Sequence, residues 1–304
     1  VSAKPAQLTR FALPALLTGA TAIGLAPIFV RLSELGPEAT AFHRLFLSLP
    51  LLGLWSWSEH RRAGRGPVDR RVRRWLIVAG LFFAADLAVW HWSIKITSVA
   101  NATLLANLAP VFVVLAGWVL FGQRFRADFL LGMALALSGA LVLMGDSLSF
   151  SGTRVTGDLL GVLTAVFYAG YIVAVTRLRA VVSTATVMFW SAAVSSAALL
   201  PVVLLSGENL LPATPAGWTV LVALAVISHV GGQGLIAYAL AHLSAAFGSV
   251  SLLWQPVAAA LFAWLILQEP LGTWQAAGGI IVLTGIYLAR RASLRQGIVQ
   301  EKTP

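Results

Sequence analysis

The apolar residues of this chain come in blocks about as long as a bilayer is thick, with the charges confined to short gaps between them. A helix needs about 20 apolar residues to cross roughly 30 Å of hydrocarbon. Val111 to Phe121, with the apolar run before it, meets that length alone. The chain is 59% hydrophobic and 11% charged, whereas a soluble domain is about 45–50% apolar and roughly 25% charged. So few charges cannot cover a water-facing surface of this size. The pattern demands lipid as solvent and an all-α membrane fold.

Read against Gly, Pro and charge punctuation, the blocks give ten transmembrane helices, near 11–31, 38–57, 75–95, 97–120, 128–145, 157–177, 185–205, 216–238, 244–267 and 272–290. Short connections make neighbours antiparallel hairpins; only Ser58 to Arg74 is long and strongly charged. With a cytoplasmic N-terminus, the inner segments hold seventeen Lys and Arg and the outer loops three, Arg31, Lys95 and Arg154. Positive residues stay inside, so both termini are expected in the cytoplasm of a bacterium, with the chain in its inner membrane. Val1 to Arg10 reads as a tail before the first span, because it lacks the short core and cleavage site of a removable signal.

A shift of 146 residues aligns the two halves without a gap over two long stretches. Leu17 and Thr18 fall on Leu163 and Thr164, Gly24 on Gly170, and Arg31 and Leu32 on Arg177 and Leu178. Further on, Pro110 meets Pro256, Trp118 meets Trp264, and Gly132 and Gly139 meet Gly278 and Gly285. Five spans per half is an odd number, so the second half enters with the opposite orientation. The expected architecture is two inverted five-helix repeats around a central cavity. Residues 1–10 form a tail, 11–145 the first repeat, 146–156 a connecting loop, 157–291 the second repeat and 292–304 a tail. Inverted repeats characterise secondary transporters, whose binding site lies near the midplane.

Other classes lack their signatures. The net charge of +10 sits on one side of the membrane rather than on one folded basic surface, which argues against nucleic acid as a partner. There is no cysteine, which removes disulfides and thiolate metal sites. No GxxxxGK[ST] sequence is present to bind ATP, and neither HExxH nor a pair of deep carboxylates points to an intramembrane enzyme. No charged ring or carbonyl filter marks a channel, the less favoured alternative. No metal or cofactor is expected; the partners are a small-molecule substrate and membrane lipid, with the oligomeric state open.

The Thr97-Ser98-Val99-Ala100-Asn101-Ala102 entry to the fourth span, Pro110 near its middle and the Phe121-Gly122-Gln123-Arg124 exit resemble the drug/metabolite transporter superfamily, specifically its bacterial ten-helix EamA-type members. The second copy supplies Leu243-Ser244-Ala245-Ala246, Pro256 and Gln268-Glu269-Pro270. Within that group the chain looks most like YddG-type exporters of aromatic amino acids. That likeness rests on Asp86, Tyr168, Tyr171 and the Trp254-Gln255-Pro256 run. The resemblance implies export of amino acids, aromatic ones first, by alternating access. Other amphipathic metabolites or drugs are the alternative cargo.

Of eleven acids, Asp86 alone sits deep in a span, 11 residues past Trp75. At 1.5 Å per residue that is about 16 Å, near the midplane. It reads as an anchor for a substrate ammonium group or a titrating site, or as a buried acid answered by His229 or Arg44. Trp90 shares its helix face. Tyr168 and Tyr171 share a face with Thr164, and their rings suit a stacked or cationic cargo; helix packing is the equal alternative. His229 and Gln233 form an i, i+4 pair that bonds substrate or packs helices. Asn107 and Trp254 flank the two mid-span prolines and line the cavity from opposite halves. Pro110 and Pro256 each remove a helical hydrogen bond and are read as hinges of two gates. His43 and Arg44 read as shallow residues that snorkel or form a structural pair.

Overall fold

The computed structural model describes residues 5–63, 68–97, 99–144, 155–268 and 271–301. Most of the expected connecting loop, parts of both tails, and Arg65, Ser98, Glu269 and Pro270 lie outside them, as does the side chain of His91. Among the described residues there is no strand. The helices are α1 (Pro5–Gly24), α2 (Ala26–Leu32), α3 (Pro37–Phe46), α4 (Leu49–Ala63), α5 (Arg70–Ile96), α6 (Val99–Ala106), α7 (Ala109–Phe121) and α8 (Ala127–Met144). The second half contains α9 (Val155–Leu178), α10 (Thr184–Ser206), α11 (Pro215–Ala223), a π-helical stretch (Leu224–Gln233), α12 (Gly234–Ala239), α13 (Ala245–Ser251), α14 (Trp254–Leu267) and α15 (Thr273–Glu301). Local chemistry sets the starts. Proline occupies the first turn of α2, α3, α7 and α11, where its missing N–H would be unpaired anyway. Ser183, Thr214 and Ser244 accept from the N–H groups of Thr186, Gly217 and Phe247 as side-chain caps.

Among the described residues, seven stretches are long and apolar enough to cross a membrane: Phe11–Leu32, Ala102–Phe121, Ala127–Met144, Val155–Leu178, Thr184–Ser206, Pro215–Ala239 and Ala245–Leu267. The other expected spans carry interruptions. α3 and α4 are separated at Leu47–Ser48 and include His43 and Arg44, α5 opens on Arg70, Arg71, Arg73 and Arg74, and α15 runs on through Arg290, Arg291 and Arg295.

The 146-residue repeat is visible in the backbone itself. The fourth span is two helices, α6 and α7, and its counterpart is likewise α13 and α14. Pro110 and Pro256, expected at mid-span as hinges, sit in the first turn of the second piece of each. At the far end, Gly122 caps α7 with φ +62° and its counterpart Gln268 caps α14 with φ +56°. A left-handed backbone is natural to glycine and strained for glutamine, by about 1 kcal/mol. Gln268→Gly is therefore expected to raise stability by about 0.5–1 kcal/mol, read as a higher unfolding midpoint in detergent.

The tightest packing joins the two halves. α8 and α15 are equivalents under the repeat, and their glycines meet backbone to backbone. A Cβ would lie 2.5 Å from Ala289 N if built on Gly132, 2.5 Å from Val282 N on Gly139, 2.4 Å from Leu143 N on Gly278 and 2.4 Å from Ala136 N on Gly285. Gly132 faces Gly285 and Ala289, while Gly139 faces Gly278 and Val282. The order runs backwards along the partner, so the two helices cross antiparallel. Small residues at such a crossing are what lets membrane helices approach closely. Elsewhere the packing also exchanges: α5 lies on α9 as the π-helical stretch and α12 lie on α1, and α6 with α7 lie on α9 as α14 lies on α1.

Two glutamates stitch the halves at one end. Glu208, after α10, accepts from Ala39 N at 2.9 Å in the first turn of α3. Glu34, between α2 and α3, accepts from Ala213 N at 2.7 Å and Thr214 N at 3.1 Å, and from the Thr214 hydroxyl, at the start of α11. Each carboxylate lies over a glycine, Gly36 or Gly217, whose Cβ would collide with it. Carboxylates at helix N-termini answer the unpaired N–H groups and the dipole there. The Thr214 hydroxyl and the two amides hold Glu34 below the ordinary value of 4.5. Its contribution is thus complete above pH 4.5 and is lost as the pH falls through the lowered value. Hydrogen exchange at Ala213 and Thr214 should accelerate on acidification in the wild type, and should be fast and pH-flat in Glu34→Gln once intrinsic exchange is subtracted.

Candidate functional site

α5, α9 and the π-helical stretch bring four rings into one ladder. Tyr168 stacks on Tyr171 with centroids 6.3 Å apart and planes 18° apart. Tyr171 stacks on Phe83 at 4.6 Å and 22°, and Phe83 on His229 at 5.9 Å and 20°. Tyr171 is 1% exposed and His229 0%. Gln233 donates to the Tyr171 hydroxyl at 3.4 Å, so both His229 and Gln233 reach the ladder. Hydrogen bonds that skip one residue further than an α-helix widen the backbone here, and such π segments recur at functional sites.

Around the ladder lie buried polar atoms with no hydrogen-bond partner: Arg44 Nε, Asn107 Nδ2, Ser191 Oγ, Gln255 Nε2 and both ring nitrogens of His229. Ser191 and Gln255 approach the hydroxyls of Tyr171 and Tyr168 without reaching hydrogen-bond geometry. Each such atom costs about 1–3 kcal/mol when left without a partner, and native structures hold few of them. Their concentration around the ladder, from five different spans, marks a place made to be completed by something else. Asn107, Pro110, Tyr168, Ile172, Leu253 and Gln255 line a cleft there of about 20 Å³, room for about one water.

Asp86 is half-buried on α5 and, among the described residues, makes neither a hydrogen bond nor an ion pair. It lies within electrostatic range of Arg44 and Tyr168. Trp90 is half-buried one turn further along. Trp254 donates its Nε1–H to Thr21 Oγ1 at 2.8 Å, which ties α14 to α1, and the neighbouring Gln255 lines the cleft. Arg44 corrects the expectation of a snorkelling side chain. Its Nε is shielded from solvent, and the guanidinium lies within electrostatic range of Asp86, Tyr168, Tyr171 and His229. His43 is structural: its Nδ1 bonds Ala39 O at 2.9 Å and its ring meets Trp218 edge-on at 5.8 Å. Sequence reasoning passed over Phe83 and Ser191, gave Arg44 only a structural part, and named Gln255 only within the Trp254-Gln255-Pro256 run. Arg44 carried a usable signal as the one arginine away from the ends of an expected span.

The EamA-like transporter family matches residues 10–145 and again 155–291. An uncharacterized transporter of Archaeoglobus fulgidus is 28% identical over 269 residues, 86% of this chain and 91% of that protein. The pseudopaline exporter CntI of Pseudomonas aeruginosa is 32% identical over 209 residues, 68% of this chain and 72% of that protein. A probable terminal-alkyne amino-acid exporter of Streptantibioticus cattleyicolor is 28% identical over 253 residues, 82% of this chain and 84% of that protein. A crystal structure at 21% identity superposes with a TM-score of 0.78 over 96% of this chain and 99% of that one, a likeness of fold. The two family matches take in nearly every described residue, and the relatives are transporters rather than enzymes: this chain is a multi-pass membrane transporter that belongs to the EamA-like transporter family.

Proposed function

We propose that the protein is a secondary exporter of amino acids, aromatic ones first, working by alternating access at the mid-membrane cluster of Asp86, Asn107, Tyr168, Tyr171, His229 and Gln233. The reading takes ten transmembrane helices in two inverted five-helix repeats, 11–145 and 157–291, with both termini in the cytoplasm of a bacterial inner membrane. The antiparallel crossing of α8 and α15 supports the inversion, because equivalent helices of a non-inverted repeat would run the same way. The observation that carries the function is the set of partnerless buried polar atoms around the ring ladder. A π-face on each side suits an aromatic side chain, and Asp86 suits an ammonium group. The names of the two exporter relatives support outward movement and, in one case, an amino acid cargo. That same relative favours a second reading, a non-aromatic amino acid bearing an unusual side chain.

Purified protein in proteoliposomes, loaded with labelled phenylalanine or tryptophan and diluted into unlabelled amino acid, provides the test. Counterflow of these two, competed better by aromatic than by aliphatic amino acids, is the expected result. Preference for propargylglycine would move the conclusion to the second reading, and no counterflow of any amino acid would end both. Asp86→Asn is expected to lower kcat/KM at least about 100-fold, as loss of a buried charge partner does. Unchanged transport in that variant would remove the anchor role of Asp86.

A further inference from the structure

We propose that Arg44 is the carboxylate anchor of the transport site, and that with Asp86 it makes the carrier select a zwitterion by its two ends. The inference rests on the amino-acid reading above and assigns Arg44 a role within it. Arg44 lies in the last turn of α3, just before the chain breaks at Leu47–Ser48 and restarts as α4. Its Nε is shielded from solvent and meets no acceptor. A guanidinium is always charged and carries five N–H donors in a rigid planar fork. The group that answers such a fork is a planar pair of oxygens, and a carboxylate does so with two parallel bonds.

Asp86 stands within electrostatic range of Arg44, yet among the described residues no ion pair within 4.0 Å joins them. The site therefore holds one positive and one negative group that are close but separate. Together they sum to zero, so a zwitterion enters without burying net charge, its carboxylate toward Arg44 and its ammonium toward Asp86. A pure anion or a pure cation would answer one group and leave the other bare. The rings of Tyr168, Tyr171 and Phe83 are uncharged and stacked, and they leave the body of the cargo to apolar contact.

Counterflow of labelled phenylalanine is measured in wild-type proteoliposomes against phenylalaninamide, which lacks the carboxylate, and 3-phenylpropionate, which lacks the amine. Each is expected to compete at least 100-fold more weakly than phenylalanine. Arg44→Gln is expected to lose at least 100-fold in kcat/KM for phenylalanine and to bring the amide within about tenfold of it as a ligand. Arg44→Lys, which keeps the charge but not the fork, should recover part of the loss. The proposal is overturned if the wild type accepts the amide within threefold of phenylalanine, or if Arg44→Gln transports phenylalanine with an unchanged KM. Should the variants not fold, the comparison of analogues on the wild type decides alone. A wild type that carries no amino acid sinks the functional reading and the anchor with it, whereas one that carries phenylalanine and ignores the carboxylate sinks the anchor only.

Discussion

Gly139→Leu is expected to abolish the folded protein. The added Cβ would begin 2.5 Å from Val282 N and 2.8 Å from Gly278 O, both backbone atoms of α15. A rotamer change cannot relieve a clash with main chain, so α8 and α15 must separate along their whole crossing. Overpacking a tight interior costs about 1–3 kcal/mol where side chains can adjust, and more is expected here. Gly285→Leu should match it, because its Cβ would meet Ala136 N at 2.4 Å. The control is Gly53→Ala on α4, where the nearest atom is Phe189 Cε2 at 3.5 Å, an ordinary contact. That change should be neutral or stabilising by up to about 1 kcal/mol from helix propensity. Size-exclusion profiles and thermal unfolding in detergent separate the outcomes: aggregated Gly139→Leu beside monodisperse Gly53→Ala is expected, and a monodisperse Gly139→Leu with an unchanged midpoint would refute the close crossing.

Phe83→Ala should cost about 3 kcal/mol of stability, the usual size of an aromatic deletion from a packed interior. Phe83 is 3% exposed and is the middle ring between Tyr171 and His229. Its removal leaves two rings from different helices facing a hole. Packing and recognition separate in Phe83→Leu, which retains most of the volume and none of the π-surface. The leucine variant should unfold within about 1.5 kcal/mol of wild type and yet show a raised KM for tryptophan in counterflow. A leucine variant with wild-type KM would mean that the ladder holds the helices together and does not touch cargo.

The fold was readable because its determinants are one-dimensional. Apolar block length reports the membrane, and matched Pro, Trp and Gly at one spacing report the duplication. The same glycines, Gly132, Gly139, Gly278 and Gly285, proved to be the residues at which the copies meet. Tyr168, Tyr171, His229 and Gln233 were found from depth and shared helix faces, which periodicity supplies. Arg44 was read only as a shallow structural residue, because counting along a span gives the height of a Cα and not the way a long side chain turns. The break at Leu47–Ser48, held by Ser48 N to Leu45 O at 3.2 Å, has no unique sequence mark beyond the nearby Pro50. The π-helical widening is likewise silent apart from the glycines at 231, 232 and 234. The tie of Trp254 to Thr21 is silent too, because the two lie 233 residues apart in different halves.

The crossing of α8 with α15 has a property that it shares with the packing of α3 and α4 on α10, and that the pairing of α5 with α9 lacks. Swapping the copies turns the meeting of Gly132 with Gly285 into that of Gly278 with Gly139, so the crossing is carried onto itself. An inward-facing and an outward-facing carrier built from inverted copies differ by that very swap. Whatever rearranges between them, this pair starts and finishes alike. In the proposed alternating-access cycle such self-paired crossings serve as the axle, and the displacement falls to the pairs that trade places, α5 on α9 against α12 on α1.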